Sequence, residues 1–230
     1  MKAFVITLFN DKYSLASAEN TLKTARQMND DLHIEMVRAV TPDKIKDTTY
    51  SYPDEGKTST FMYPGYVSMT LVGYKAKDIG KKIACSLSHM HLWNKCVEMN
   101  EPIMILEHDA VFTRKFSYEH VRNKYRGILG LNDPRGATRK SQLFHELTRD
   151  KGEGVHDAPW IDDKSVPQGI AGNSAYIIKP HMAGKLIKQT FEIGMWPNDA
   201  VMCKQNFPNM LEVVYPYYTS LQGVKSTTQS

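Results

Sequence analysis

The chain has 230 residues, a length that suits one large α/β domain. Hydrophobic residues make up 41% and charged residues 23%, which argues against wholesale disorder, and no apolar run nears the roughly 18 residues of a bilayer-crossing helix. Lys and Arg exceed Asp and Glu by 29 to 25, a net charge of +4 that is too small to name a nucleic-acid partner by itself.

Lys2 to Leu8 is β-branched and aromatic and reads as a buried first strand. Ala16-Ser17-Ala18 imitates a signal-peptide cleavage site, but Asn10-Asp11-Lys12 interrupts the short apolar stretch before it. Ser14 to Asn29 has helical composition, with Ser14 as cap and Leu15, Ala18, Leu22, Ala25 and Met28 near helical spacing. Leu32 to Val40 reads as a second strand that Pro42 closes. A β-α-β opening predicts a parallel sheet with a right-handed crossover. Residues 41 to 79 carry no period and read as a functional loop or lid. Its aromatic residues, Tyr50, Tyr52, Phe61, Tyr63, Tyr66 and Tyr74, either stack on a sugar or base or pin the loop down.

Lys81 to Met99 carries the strongest helical stripe, through Ile83, Ala84, Leu87, Met90, Trp93 and Val97. Pro102 ends it, and Ile103 to Leu106 is a continuous apolar strand of the kind found at a sheet centre. The segment Phe112 to Lys140 is basic: Arg114, Lys115, Arg122, Lys124, Arg126, Arg135, Arg139 and Lys140 oppose only Glu119 and Asp133. Residues 132 to 168 read as loop. Asn173 to Lys179 reads as a strand, Pro180 to Phe191 and Asp199 to Phe207 as helices, and Leu211 to Tyr215 as a last strand. The tail from Thr219 to Ser230 is polar and lacks a core pattern. The expected division is one domain with a nucleotide-binding half (1–110), an acceptor half (111–218) and a tail (219–230). Cys85, Cys96 and Cys203 are odd in number and contain no CxxC, which argues against zinc and disulfides and for a reducing cytoplasm.

Chemistry concentrates at Glu107-His108-Asp109, directly after the apolar strand, where open α/β sheets collect ligands. Strand alternation puts Glu107 and Asp109 on one side and His108 on the other. Two adjacent carboxylates repel unless a cation or donors lie between them, and Mg²⁺ or Mn²⁺ suits oxygen ligands.

The string from Ile83 to Phe112 resembles glycosyltransferase family 25, whose members carry I-x-C-x-L-S-H-x-x-x-W, an apolar strand and L-E-D-D-x-x-F. Cys85, Leu87, Ser88, His89, Trp93, Leu106, Glu107, Asp109 and Phe112 stand in matching places. Gly172 to Leu186 is similar to the family's G-x-x-A-Y-x-I block, Pro197 to Ala200 to its P-x-D segment, and Gln222 to Thr227 to its Q-x-x-x-S-T ending. The block Pro197 to Pro208 looks most like phage-encoded relatives.

The resemblance implies a GT-A-like α/β fold with a mixed, mainly parallel sheet, a nucleoside-diphosphate sugar donor and inversion at the anomeric carbon. It implies that Asp109 binds Mn²⁺ or Mg²⁺ and that Glu107 acts beside it, on the metal's waters or the donor ribose. Thr7, Leu8, Asn10, Ser88, His89, Ser226 and Thr227 are the further candidates for donor binding. The chain departs from the family at His108, in place of an acid, and at Thr7-Leu8-Phe9-Asn10, which lacks the Arg of an N-L-x-R pattern.

Inverting transfer needs a base for the acceptor hydroxyl. Asp199 is the first candidate, with helix N-cap as its alternative role; Asp157, Asp162 and Asp163 are weaker ones. His89 and His91 read as core histidines, and His181 as exposed. Arg122, Lys124, Arg126 and Asn173 are candidates for the acceptor. The basic segment and the phage-like block incline the reading to a hydroxymethylated base in phage DNA, flipped from the duplex. A lipooligosaccharide or other glycan is the alternative acceptor. A catalytically inactive sugar-nucleotide or glycan binder is the reading from another class.

Overall fold

β1 (Lys2–Thr7) opens the chain, and its side chains alternate between two cores. Phe4 and Ile6 join one, while Ala3 and Val5 join the other. The computed structural model describes residues 1–29, 32–45, 78–136, 140–162 and 166–223, and the backbone alone of 58–61 and 69–72.

α1 (Lys12–Met28) follows, and β2 (His33–Arg38) returns beside β1. Asp11 caps α1 through Oδ1, which accepts from the amides of Tyr13 and Ser14 at 2.9 and 2.8 Å. The expected cap, Ser14, instead accepts from the Leu8 amide and fixes the β1–α1 loop. β3 (Thr58–Phe61) and β4 (Met69–Val72) pair antiparallel within the segment expected to be loop. Tyr50, Tyr52, Tyr63, Tyr66 and Tyr74, and the side chain of Phe61, lie outside the described residues.

α2 (Ile79–Met99) leads to β5 (Ile103–Glu107) and the short β6 (Ala110–Phe112). β7 (Ile128–Gly130), α3 (Ser141–Arg149), β8 (Gly154–Asp157), β9 (Ala175–Ile178), α4 (Pro180–Ile193), α5 (Asn198–Val201), β10 (Leu211–Tyr215) and β11 (Thr219–Leu221) complete the chain. α3 and β8 fall where loop was expected. Ser141, Phe144, His145 and Thr148 give α3 a buried stripe that its Gly- and Asp-rich surroundings mask. α5 has four residues, so the helix expected over Asp199 to Phe207 is mostly turn. The tail is not featureless at its start, since β11 pairs with β6.

The main sheet has seven strands in the order β2-β1-β5-β9-β7-β10-β8. β2, β1, β5, β7 and β10 share one direction, and β9 and β8 run against them. This is the expected α/β architecture, a mixed, mainly parallel sheet, compatible with a GT-A-like single domain. Both halves of the chain supply strands, with β5 hydrogen-bonded to β9 at the centre.

β5 shows why a short apolar run was readable. Ile103 and Ile105 pack under α2 and α4, and Met104 and Leu106 pack with α1 and the 116–125 segment. All four are fully buried, so each contributes roughly 1.5–3 kcal/mol of apolar burial. Among the described residues, no helix is long and apolar enough to cross a membrane.

Candidate active site

Glu107 continues the parity of Ile103 and Ile105 and therefore turns toward α2. There its Oε1 lies 3.4 Å from Nε2 of the buried His89. Tyr176, on the same face of the neighbouring β9, brings its hydroxyl to 2.9 Å from His89 Nδ1. The Trp93 indole N–H donates to that hydroxyl at 2.9 Å. Cys85 lies one helical turn before His89, and Cys85, His89 and Glu107 bring one ligand atom each within 4.8 Å of one another. Burial pushes the Cys85 thiol up, with the charges of Glu107 and Asp199 adding to it.

The strand ends at Glu107, and His108-Asp109 form a two-residue turn into β6. Strand geometry thus stops two residues before Asp109, where it was expected to reach. His108 still lies on the α1 side, where burial lowers its pKa against the charges of Glu107 and Asp11. Asp109 keeps the company of Glu107: burial first, and the Glu107 charge second, raise its pKa to about 7. Its Oδ1 is buried and has no hydrogen-bond partner among the described residues. An orphan carboxylate oxygen costs about 1–3 kcal/mol or more unless something fills its coordination. Oxygen-seeking Mn²⁺ or Mg²⁺ fits that donor set.

Asp199 lies in the first turn of α5 rather than at its cap, which is Pro197. Its side chain reaches solvent, yet protein surrounds it, as at the floor of a cleft. Burial and the Glu107 charge raise its pKa, and Lys82 opposes them. Glu107, Asp109 and Asp199 thus form one acidic neighbourhood with Glu107 in the middle, and Lys82 is the cation facing Asp199 and Cys85.

Residues 1–128, which hold β1 through the acidic turn, match glycosyltransferase family 25 (LPS biosynthesis protein). The chain belongs to glycosyltransferase family 25. No match is found among curated proteins.

Membership of family 25 implies a nucleotide-sugar donor, and the candidates for binding it differ in burial. Thr7 and Ser88 are buried, and their hydroxyls are committed inside the protein: Thr7 donates to Val5 O, while Ser88 donates to Ala84 O and accepts from the Val40 amide. They frame the cleft rather than line it. Leu8 is half-buried and Asn10 exposed, in the loop that Asp11 brings toward His108. The missing arginine of this loop has a neighbour in Arg38, which ends β2 opposite Thr7 and lies over the Phe9 ring at 4.9 Å. Ser226 and Thr227 lie outside the described residues.

On the acceptor side, Asn173 precedes β9, and the adjoining Ser174 carbonyl accepts from the Glu107 amide at 2.8 Å. Both polar atoms of the Asn173 amide are buried and unpartnered among the described residues. The basic candidates go elsewhere. Arg126 lies before β7, at the strand edge opposite Glu107, held by Asp157 and by Glu212 at 2.6 Å. Lys124 shares a shallow cavity with them, and Arg122 pairs with Glu119. Phe116, near the start of this segment, is tied to Asn29 at the far end of α1. The structure does not bring these three to the acidic neighbourhood. Asp162 pairs with Lys140, Asp163 lies outside the described residues, and Asp157 is spent on Arg126. His91 points to solvent instead of the core, and His181 is exposed as expected.

Two residues escaped sequence reasoning. Gln222 donates its backbone N–H to Asp109 O at 2.9 Å. Its Nε2 lies 2.9 Å from Ser17 O, 3.2 Å from Thr21 Oγ1 and 3.3 Å from His108 O. It staples the acidic turn to α1, and the family-like Q-x-x-x-S-T ending was its signal. Gly169 passes so close under α5 that a Cβ there meets the carbonyls of Asp199 and Met202 at 2.8 and 2.9 Å. No pattern marks it.

Gln222→Ala is expected to lower stability by about 1–3 kcal/mol, from several net hydrogen bonds, and to weaken donor affinity by freeing the turn. Urea denaturation and donor titration check both effects. The pKa of Asp109 sets a second expectation. A carboxyl raised to about 7 in the folded state holds its proton more tightly than in the unfolded chain. Metal-free stability should therefore fall as pH rises from about 4 to 7. Melting temperatures across that range should show the decline, and Asp109→Asn should flatten it.

Proposed function

We propose that the protein transfers a sugar from a nucleoside-diphosphate donor to a hydroxyl of a saccharide acceptor, with inversion. The observation that carries the reading is the unpartnered Asp109 Oδ1 beside Glu107 at the carboxyl ends of the parallel strands, with Asp199 within reach of the Glu107 charge. Donor binding falls between the Leu8–Asp11 loop and the acidic turn, with Arg38 and Phe9 at its outer edge. Asp109, with Glu107 beside it, holds Mn²⁺ or Mg²⁺. When bound, that ion supplies charge neutralisation for the departing diphosphate.

The acceptor hydroxyl attacks the anomeric carbon as the bond to the diphosphate breaks, and Asp199 takes the hydroxyl proton. Burial and the Glu107 charge raise its pKa, which makes it a stronger base for that proton than an ordinary carboxylate. Asn173, whose unpartnered amide both donates and accepts, adjoins the Ser174 carbonyl that holds the Glu107 amide and is the candidate for a sugar hydroxyl. A saccharide is preferred to DNA because Arg122 and Arg126, two of the cations proposed to track a phosphate backbone, are paired with carboxylates away from the acidic turn.

A thermal-shift screen of nucleotide sugars with Mn²⁺, followed by donor hydrolysis without acceptor, tests the reading. One donor should stabilise the protein and be hydrolysed slowly. Failure of all donors to bind overturns the function, and binding without hydrolysis or transfer leaves an inactive binder. Tight, salt-sensitive DNA binding overturns the acceptor assignment.

A further inference from the structure

Trp93, Tyr176, His89 and Glu107 form a line of contacts whose donor roles follow from counting protons. The Trp93 indole can only donate, so the Tyr176 oxygen accepts from it. Tyr176 is 0% exposed, and its own proton must go to an acceptor. The His89 Nδ1 lone pair, 2.9 Å away, is the one that its described contacts offer. A proton on Nδ1 would strand the tyrosine proton in the core. Nδ1 is therefore bare, and the ring proton sits on Nε2, whose nitrogen lies 3.4 Å from Glu107 Oε1. That distance is at the outer edge of hydrogen bonding, as catalytic contacts often are before ligand binds.

We infer that Trp93, Tyr176 and His89 are positioning residues that fix one histidine tautomer and so hold the Glu107 carboxylate in a single orientation at the donor site. The inference rests on the proposed function for the role of Glu107. His89 is 1% exposed and Glu107 33%, so the relay runs from the core to the cleft surface. Pinning Oε1 from below leaves Oε2 toward the cleft. Side-chain rotation of an unpinned glutamate displaces it by an ångström or more, and misplacement of that size costs about a hundredfold in rate. The relay also explains why the cluster of Cys85, His89 and Glu107 is not a soft-metal site: a cation there needs the Nε2 lone pair, which the proton occupies.

Long-range ¹H–¹⁵N NMR on the imidazole, assigned by its loss in His89→Gln, reads the tautomer without reference to activity. Wild-type protein should show His89 protonated at Nε2, and Tyr176→Phe should show a tautomer mixture. Tyr176→Phe should also lower donor kcat about a hundredfold with donor KM changed far less. His89→Gln, whose amide N–H reaches the Nε2 position, should stay within about tenfold of wild type, whereas His89→Asn, which reaches only Nδ1, should fall with Tyr176→Phe. A purely structural role would lower stability in all three without that split. An Nδ1-protonated wild type, a folded Tyr176→Phe with full kcat, or a cobalt–thiolate absorption band that Cys85→Ser removes would each overturn the relay. An Nε2-protonated wild type that turns over no nucleotide sugar would overturn the function instead.

Discussion

Asp109→Ala is expected to abolish metal-dependent donor binding and to cut donor turnover about a thousandfold or more, with the fold intact. Asp109 lies in the turn between β5 and β6, and its Oδ1 bonds to nothing described around it. Removing the carboxylate therefore costs at most its hydrogen bond to its own backbone amide, and it relieves the repulsion from Glu107 that helps raise its pKa to about 7. The metal-free variant should be at least as stable as wild type at neutral pH. Turnover is another matter. Neutralising a diphosphate leaving group is worth several kcal/mol of barrier, and about 4 kcal/mol is a thousandfold in rate. Calorimetric titration with Mn²⁺ and donor hydrolysis measure the two effects separately. Full activity in the variant, or in wild type with excess chelator, would sink the metal-site reading.

Asp199→Asn should lower transfer by about a hundredfold to ten-thousandfold, the usual range for a lost general base, while donor affinity changes little. The carboxylate is accessible at the cleft floor, and burial together with Glu107 raises its pKa. Wild-type kcat should therefore climb with pH through that raised value, and the climb should be missing in the variant. The amide keeps the shape and the first-turn position in α5, so folding is not at issue. Equal loss of donor binding and transfer would assign Asp199 to the donor instead.

Charge illustrates how a sequence misleads about a site. The surplus of basic residues between Phe112 and Lys140 is real, but chemistry depends on where the chain carries it. Asn29 anchors Phe116 at the far end of α1, and Glu212 and Asp157 then capture Arg126. None of these partners is a local neighbour in sequence, so the charge surplus by itself does not say which surface the cations face. The same limit hid α3, whose single buried stripe is short and flanked by turn formers.

Local chemistry made the centre of the protein legible. Ile103 to Leu106 reads as a strand covered on both faces, and the period of two then puts Glu107 on the face opposite His108. The spacing of Cys85, His89 and Trp93 at helical intervals places all three on one helix, and the motif they belong to names the family. What tertiary structure alone decided is which atoms meet. Tyr176 reaches His89 across 87 residues because β9 pairs with β5 in one register. Gln222 reaches Ser17 across 205 residues because β11 pairs with β6 beside α1. Period and propensity act within a few residues, whereas strand order and register are chosen by the packing of the whole core, and the orientation of Glu107 and Asp109 depends on that choice.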